Sequence, residues 1–196
     1  MKNIVVLASG SGSNFQSIID SVEAGKINAR IAGLISNKPG IKALDRATKH
    51  NIPCSIISEK EYSTHLEFSK TLLRQLDNWD TDLIILAGYL RKIPTLVIQN
   101  YKNRILNIHP SLLPKYGGKG FYGMNVHNAV LESGDTESGC SVHIVSEEYD
   151  KGPILDQIKV PVYKNDAPEK LAKRVLEQEH ILYPRVISKY LTTFSK

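Results

Sequence analysis

The chain opens on an unbroken apolar run, Ile4 to Ala8, then a loop of small residues, Ser9 to Ser13, then Phe15, Ile18, Ile19 and Val22 at helical spacing up to Gly25. This predicts strand, loop and helix. The alternation returns with Ile31 to Ile35 as strand, Ile41 to His50 as helix, a short strand around Cys54 to Ile57, a helical stretch from about Ser63 to Leu76, and the strand Leu83 to Ala87. Arg104 to Ile108, Ser141 to Val145 and Ile154 to Val162 read as three more strands, with a helix over Asn125 to Glu132 between the first two. The final helix has Pro168 in its first turn, Asp166 as candidate cap, and Leu171, Val175 and Leu182 on one face. Strands and helices alternating at this spacing predict a single α/β domain, a mostly parallel twisted sheet with helices on both faces. Ligands of such sheets bind beyond the carboxyl ends of the strands, so residues just after Ala8, Ala87, Ile108 and Val145 are the first candidates for a site.

Composition narrows the class. The 196 residues, 41% hydrophobic and 23% charged, suit one ordinary globular domain. The 25 Lys and Arg against 20 Asp and Glu leave a net charge of +5. That excess is spread out with no block of like charges, which disfavours a nucleic-acid-binding arm and suits small anionic ligands. Cys54 and Cys140 lie far apart in no paired motif, against a disulfide framework or a zinc site and for a reducing cytoplasm. Ile4 to Ala8 is shorter than the roughly 7 to 15 residues of a signal-peptide core, and no stretch approaches the roughly 18 apolar residues of a membrane helix. The expectation is a soluble cytoplasmic protein, its partners small molecules, neither nucleic acid nor membrane.

Ser9-Gly10-Ser11-Gly12-Ser13-Asn14 joins the first strand to the first helix, where free N–H groups meet the positive end of the helix dipole and an anion is expected. A dinucleotide fingerprint would need a glycine where Phe15 stands and an acid where Ser36, Asn37 and Lys38 stand; no Gly-Lys-Ser or Gly-Lys-Thr follows for a P-loop. A phosphate monoester site survives, set against a tight turn whose glycines serve geometry alone.

In Arg104-Ile-Leu-Asn107-Ile-His109-Pro110 the period of two puts Asn107 and His109 on one face, roughly 7 Å apart. The amide can donate to a carbonyl oxygen, and an imidazolium can donate a second hydrogen bond as that oxygen becomes an oxyanion, which suits acyl transfer. Asp150, in a loop after the strand Ser141 to Val145, can meet His109 and either raise its pKa and hold it protonated or position a water for proton shuttling. Taken alone, Asp-Lys-Gly-Pro reads as a surface turn. On a helical wheel Glu179 falls inside the apolar stripe between Val175 and Ala172 and wants a partner, either a buried structural pair or a ligand amine or hydroxyl. Ser141 and His143 share a strand face, but no spacing supplies three ligands, so no metal is expected. His143 reads as a satisfied core or supporting residue, and His50, His65, His127 and His180 as surface residues.

Taken together, these motifs resemble the folate-dependent formyltransferases over nearly the whole chain. The resemblance rests on Ser9 to Asn14, Leu86-Ala-Gly-Tyr-Leu-Arg-Lys-Ile93, Leu106-Asn-Ile-His-Pro-Ser-Leu-Leu-Pro-Lys-Tyr116, Gly139-Cys-Ser-Val-His143, Asp150-Lys-Gly-Pro153 and Gln178-Glu-His180, all in order. It implies transfer of a formyl group from N10 of 10-formyltetrahydrofolate to the primary amine of glycinamide ribonucleotide in de novo purine synthesis, without a metal. By that similarity Gly12, Ser13 and Asn14 hold the phosphate and Glu179 the ribose hydroxyls. The pterin lies against Leu90, Arg91, Lys92 and Ile93 and against Ser146, Glu147, Glu148, Tyr149 and Asp150. Asn107 faces the formyl oxygen, His109 stabilises the oxyanion, and Asp150 supports a charged His109. About 1–100 would serve the ribonucleotide phosphate and 101–196 catalysis and the folate loops.

Three departures stand out: Lys151 where many relatives carry glycine, a stretch Gly117 to Gly123 longer than in the shortest relatives, and His65 near a basic position associated with the folate tail. Among the alternatives, a methionyl-tRNA formyltransferase would want a further C-terminal domain and a formyltetrahydrofolate deformylase an N-terminal one. A non-catalytic phosphosugar-binding module would have no use for Asn107, His109 and Asp150 together.

Overall fold

The computed structural model describes residues 1–193. Seven strands form one sheet: β1 (Lys2–Ala8), β2 (Ala29–Ser36), β3 (Cys54–Ile56), β4 (Leu83–Leu86), β5 (Ile105–His109), β6 (Glu137–Ile144) and β7 (Ile154–Pro161). The helices are α1 (Ser13–Glu23), α2 (Lys42–Lys49), α3 (His65–Asn78), α4 (Thr95–Asn100), α5 (Met124–Glu132) and α6 (Pro168–Leu191). The strand order is β3-β2-β1-β4-β5-β6-β7. β1 to β5 run parallel, β6 pairs antiparallel with β5, and β7 antiparallel with β6. The order reverses between β1 and β4, because the chain winds outward through β2 and β3 and then returns, which opens a crevice at their carboxyl ends.

Continuous apolar runs make the central strands: Ile4 to Ala8 and Leu83 to Ile85 are wholly or almost wholly buried because helices cover both faces. Two core layers result. One packs α1, α5 and α6 through Phe15, Ile18, Val130, Leu171, Val175 and Tyr183; the other packs α3 and α4 through Phe68, Leu72, Val97 and Ile98, with Tyr89 and Ile93 at its rim.

Two readings of the sequence need correction. Asp166 does not cap α6: the cap position is Ala167, and the Asp166 carboxylate accepts from the Tyr163 N–H and both terminal nitrogens of Arg174. α4 was missed, being six residues long and lacking a capping side chain. Among the described residues no helix is long and apolar enough to cross a membrane.

Candidate active site

Gly12 caps α1 with φ +71, and a Cβ there would lie 2.8 Å from that of Ala43, so both conformation and packing demand glycine. No side chain caps this helix, leaving the first-turn N–H groups without side-chain acceptors. Ser11, Ser13 and Asn14 line a cleft of about 660 Å³, with Gly12 behind them. The Asn14 side chain is buried and already committed, its Nδ2 donating to Glu179 Oε2 at 2.6 Å. The part of Asn14 that suits an anion is therefore its backbone N–H.

Asn107 and His109 both line the cleft, as the period of two predicts. His109 is 4% exposed and its Nε2 lies 2.7 Å from the Tyr116 carbonyl oxygen. A carbonyl only accepts, so Nε2 carries a proton and Nδ1 is the nitrogen left to exchange one. Nδ1 lies 3.7 Å from Asp150 Oδ2. Tyr116 holds this acceptor at a φ of +54, its hydroxyl 2.5 Å from Ser133 Oγ and donating to Asp135 at 2.9 Å.

Asp150 reaches the site by a route that the parallel-sheet rule does not supply. Because β6 is antiparallel, its last residue Ile144 pairs with Leu106, towards the start of β5 and away from His109. The following loop must fold back, and Asp150 sits at φ +55 where it does so. Glycine at 152 lets that loop pass the Ile144 carbonyl, into which a Cβ would collide, and glycine at 117 makes room for the Asp150 side chain. The carboxylate then accepts from the Gly118 N–H at 2.9 Å, with His143 Nε2 3.4 Å away. His143 is buried, directly opposite Asn107 in register, with Nε2 3.0 Å from the Asn107 amide nitrogen and Nδ1 3.1 Å from the Ile144 carbonyl oxygen.

The electrostatics follow from burial. Desolvation pushes the Asp150 carboxyl up, but His143, His109 and the Gly118 N–H outweigh it and hold the group below the ordinary carboxylate range. For His109 the balance is reversed. Burial lowers its pKa more than Asp150 and the Tyr116 carbonyl raise it, so the ring is neutral more readily than free histidine. The expectation of an imidazole held charged by its carboxylate is thus corrected: burial outweighs the carboxylate.

Glu179 lies on the buried face of α6, as the wheel implied, and lines the cleft, 7% exposed and with its pKa raised by burial against the Asn14 bond. Leu90, Arg91, Lys92 and Ile93 form the opposite wall with Ser146, Glu147, Glu148 and Tyr149. The two walls are tied at their base by Ser9, whose hydroxyl accepts from the Leu90 N–H at 2.9 Å. The cleft therefore draws on both halves of the chain, with Leu90 to Ile93 from before residue 100 and Glu179 from after it.

Among the lining residues that the sequence reading did not place at the site is His127, read as a surface histidine but 4% exposed. Its place between the apolar Val126 and Val130 was the available signal. Among the described residues no group of three or more His, Cys, Asp or Glu is placed to hold a metal ion.

A sheet with its crevice at the switch point, and an amide, an imidazole and a carboxylate lining one cleft there, suit acyl transfer. The chain belongs to the formyl transferase family, whose model, described as "Formyl transferase", matches residues 2–187. It is 40% identical to the phosphoribosylglycinamide formyltransferase of Escherichia coli K12 over 95% of this chain and 85% of that protein. It is 45% identical to the chloroplastic phosphoribosylglycinamide formyltransferase of Arabidopsis thaliana, over 95% of this chain but 64% of that longer protein. The crystal structure of glycinamide ribonucleotide transformylase 1 from Geobacillus kaustophilus superposes with a TM-score of 0.91 at 39% identity, covering 97% of this chain and 99% of that one.

Proposed function

We propose that the chain transfers the formyl group of 10-formyltetrahydrofolate to the primary amine of glycinamide ribonucleotide, a step of purine biosynthesis. The observation that carries this reading is that Asn107, His109 and Asp150 line one cleft with a helix N-terminus that has no side-chain cap and a loop wall with exposed apolar side chains. The relatives named above bear that activity in their names.

In this reading the phosphate sits on the N–H groups of Ser13 and Asn14 in the positive end of α1, with Gly12 allowing the turn. Glu179, one oxygen engaged by Asn14, accepts from the ribose hydroxyls with the other. The pterin lies against Leu90 to Ile93 and Ser146 to Asp150. Asn107 keeps one amide hydrogen towards His143 and gives the other to the formyl oxygen.

The substrate amine attacks the formyl carbon, so the enzyme supplies no nucleophile. As the C–N bond forms, the carbonyl π electrons move to oxygen, which Asn107 stabilises, joined by His109 Nδ1–H once that nitrogen has taken the proton of the attacking amine. The amine proton passes to His109 Nδ1 or, through water at Asp150, onward. The tetrahedral carbon then expels N10, which takes a proton back along the same path, leaving formylated amine and tetrahydrofolate.

The absorbance change as purified protein consumes 10-formyltetrahydrofolate, with and without glycinamide ribonucleotide, tests this. Consumption dependent on the amine supports the reading. Release of formate without it would establish a deformylase, and no consumption with ribonucleotide bound would leave a phosphosugar-binding module.

A further inference from the structure

α5 carries a polar side chain that the mechanism above leaves unused. His127 is 4% exposed and lines the cleft, yet its Nδ1 is enclosed with no hydrogen-bond partner among the described residues. A buried N–H without an acceptor is rarer than an under-used lone pair, so the proton belongs on Nε2, the nitrogen left to the cleft. Burial, helped by His109 nearby, brings the pKa of His127 down to about 4, so the ring is uncharged at neutral pH. It is a fixed, neutral donor.

Its place in the fold says which ligand it faces. α5 packs in the same core layer as α6, with Val130 beside Leu171, Val175 and Tyr183, the layer that carries Asn14 and Glu179 at its rim. The folate wall grows from the opposite layer, through Leu86, Tyr89, Ile93 and Ile98. A neutral donor adds nothing to the charge balance of a phosphate, which the end of α1 already receives. It suits an uncharged acceptor oxygen between that phosphate and the reacting amine.

We infer that His127 is a binding residue for the amine substrate, donating its Nε2–H to a sugar or glycinamide carbonyl oxygen of the ribonucleotide. This rests on the function proposed above. Replacing it tests which substrate loses a contact. His127→Leu raises the KM for glycinamide ribonucleotide about tenfold, the effect of leaving a bound acceptor unpaired, while the KM for 10-formyltetrahydrofolate stays within about twofold. His127→Gln, whose side-chain nitrogen reaches near the Nε2 position, recovers most of that loss; His127→Asn, whose nitrogen lies near Nδ1, does not.

An unchanged ribonucleotide KM in the leucine variant overturns the assignment, as does a shift in both KM values by the same factor. Should the leucine variant fail to fold, the glutamine and asparagine variants decide: recovery by Asn and not by Gln overturns it. Wild-type protein that formylates no glycinamide ribonucleotide is a separate result, refuting the function on which the inference stands.

Discussion

The two walls of the cleft are built in opposite ways. On the ribonucleotide side every element is fixed from within: Gly12 is pressed on Ala43, Asn14 bonds Glu179, and one turn along α6 the buried Tyr183 hydroxyl lies 3.0 and 2.9 Å from the carbonyl oxygens of Leu86 and Leu106. On the folate side Leu90 is 56% and Tyr149 44% exposed. The ties there include a Ser146 hydroxyl bonded to the Glu148 carbonyl, a Gln99 amide donating to Glu147 at 3.4 Å, a Leu90 N–H on Ser9 and the Lys92 ammonium 5.8 Å from the Tyr149 ring. In the proposed function a compact charged substrate meets a preorganised helix end, which binds without reordering, and a long, flat one meets loops that can close over it. In the proposed reading the reacting groups stand at the seam, His109 on β5, whose two faces feed both core layers, and Asp150 on a loop of the adaptable side.

Breaking the seam gives the largest effect. His109→Ala and Asp150→Ala each lower kcat by roughly 100-fold or more, as loss of a general acid–base group does, with circular dichroism unchanged. A loss confined to the KM of either substrate would assign the residue to one wall, and near-normal rates would remove it from the chemistry.

Rigidity on the ribonucleotide side also carries a cost in acid. In the unfolded chain His127 titrates near 6.5, while the folded value is about 4. Between those values the unfolded state binds more protons, so stability that is fully present above pH 6.5 drains away as the pH falls towards 4. By pH 5 the loss from this residue is on the order of 1 to 2 kcal/mol. Urea unfolding at pH 7 and pH 5 will show it, and the His127→Gln variant should lose less than the wild type between the two. Equal losses would mean that His127 is not held neutral by the fold.

The contrast between the walls also explains what the sequence made legible. Local patterns with a fixed period came through: the apolar strands, the small-residue loop opening α1, Asn107 with His109, and Glu179 inside the stripe of α6. What failed depended on partners that no local pattern encodes. The antiparallel turn of β6 sets His143 opposite Asn107 and obliges the Asp150 loop to double back past Gly152, and neither follows from alternation alone. The protonation of His109 went wrong for a related reason. Its carboxylate neighbour could be guessed from composition, but the depth of burial that outweighs it is a property of the assembled core. His127 was lost because histidine on a short helix is ambiguous until the packing of that helix on α6 is known.

The finest test sets one residue from each wall side by side. Glu179→Gln keeps an oxygen for Asn14 but removes the negative charge that strengthens bonds to ribose hydroxyls, so the KM for glycinamide ribonucleotide rises about tenfold and that for the folate holds. Tyr149→Ala removes an exposed ring from a wall that is already loose, so the folate KM rises only about two- to threefold and the ribonucleotide KM is unmoved. Steady-state kinetics varying each substrate in turn give all four numbers. The comparison fails if Tyr149→Ala costs as much as Glu179→Gln, because the folate wall would then be as preorganised as the other. It also fails if either change moves both KM values together, since a rigid wall and an adaptable one should report on different substrates.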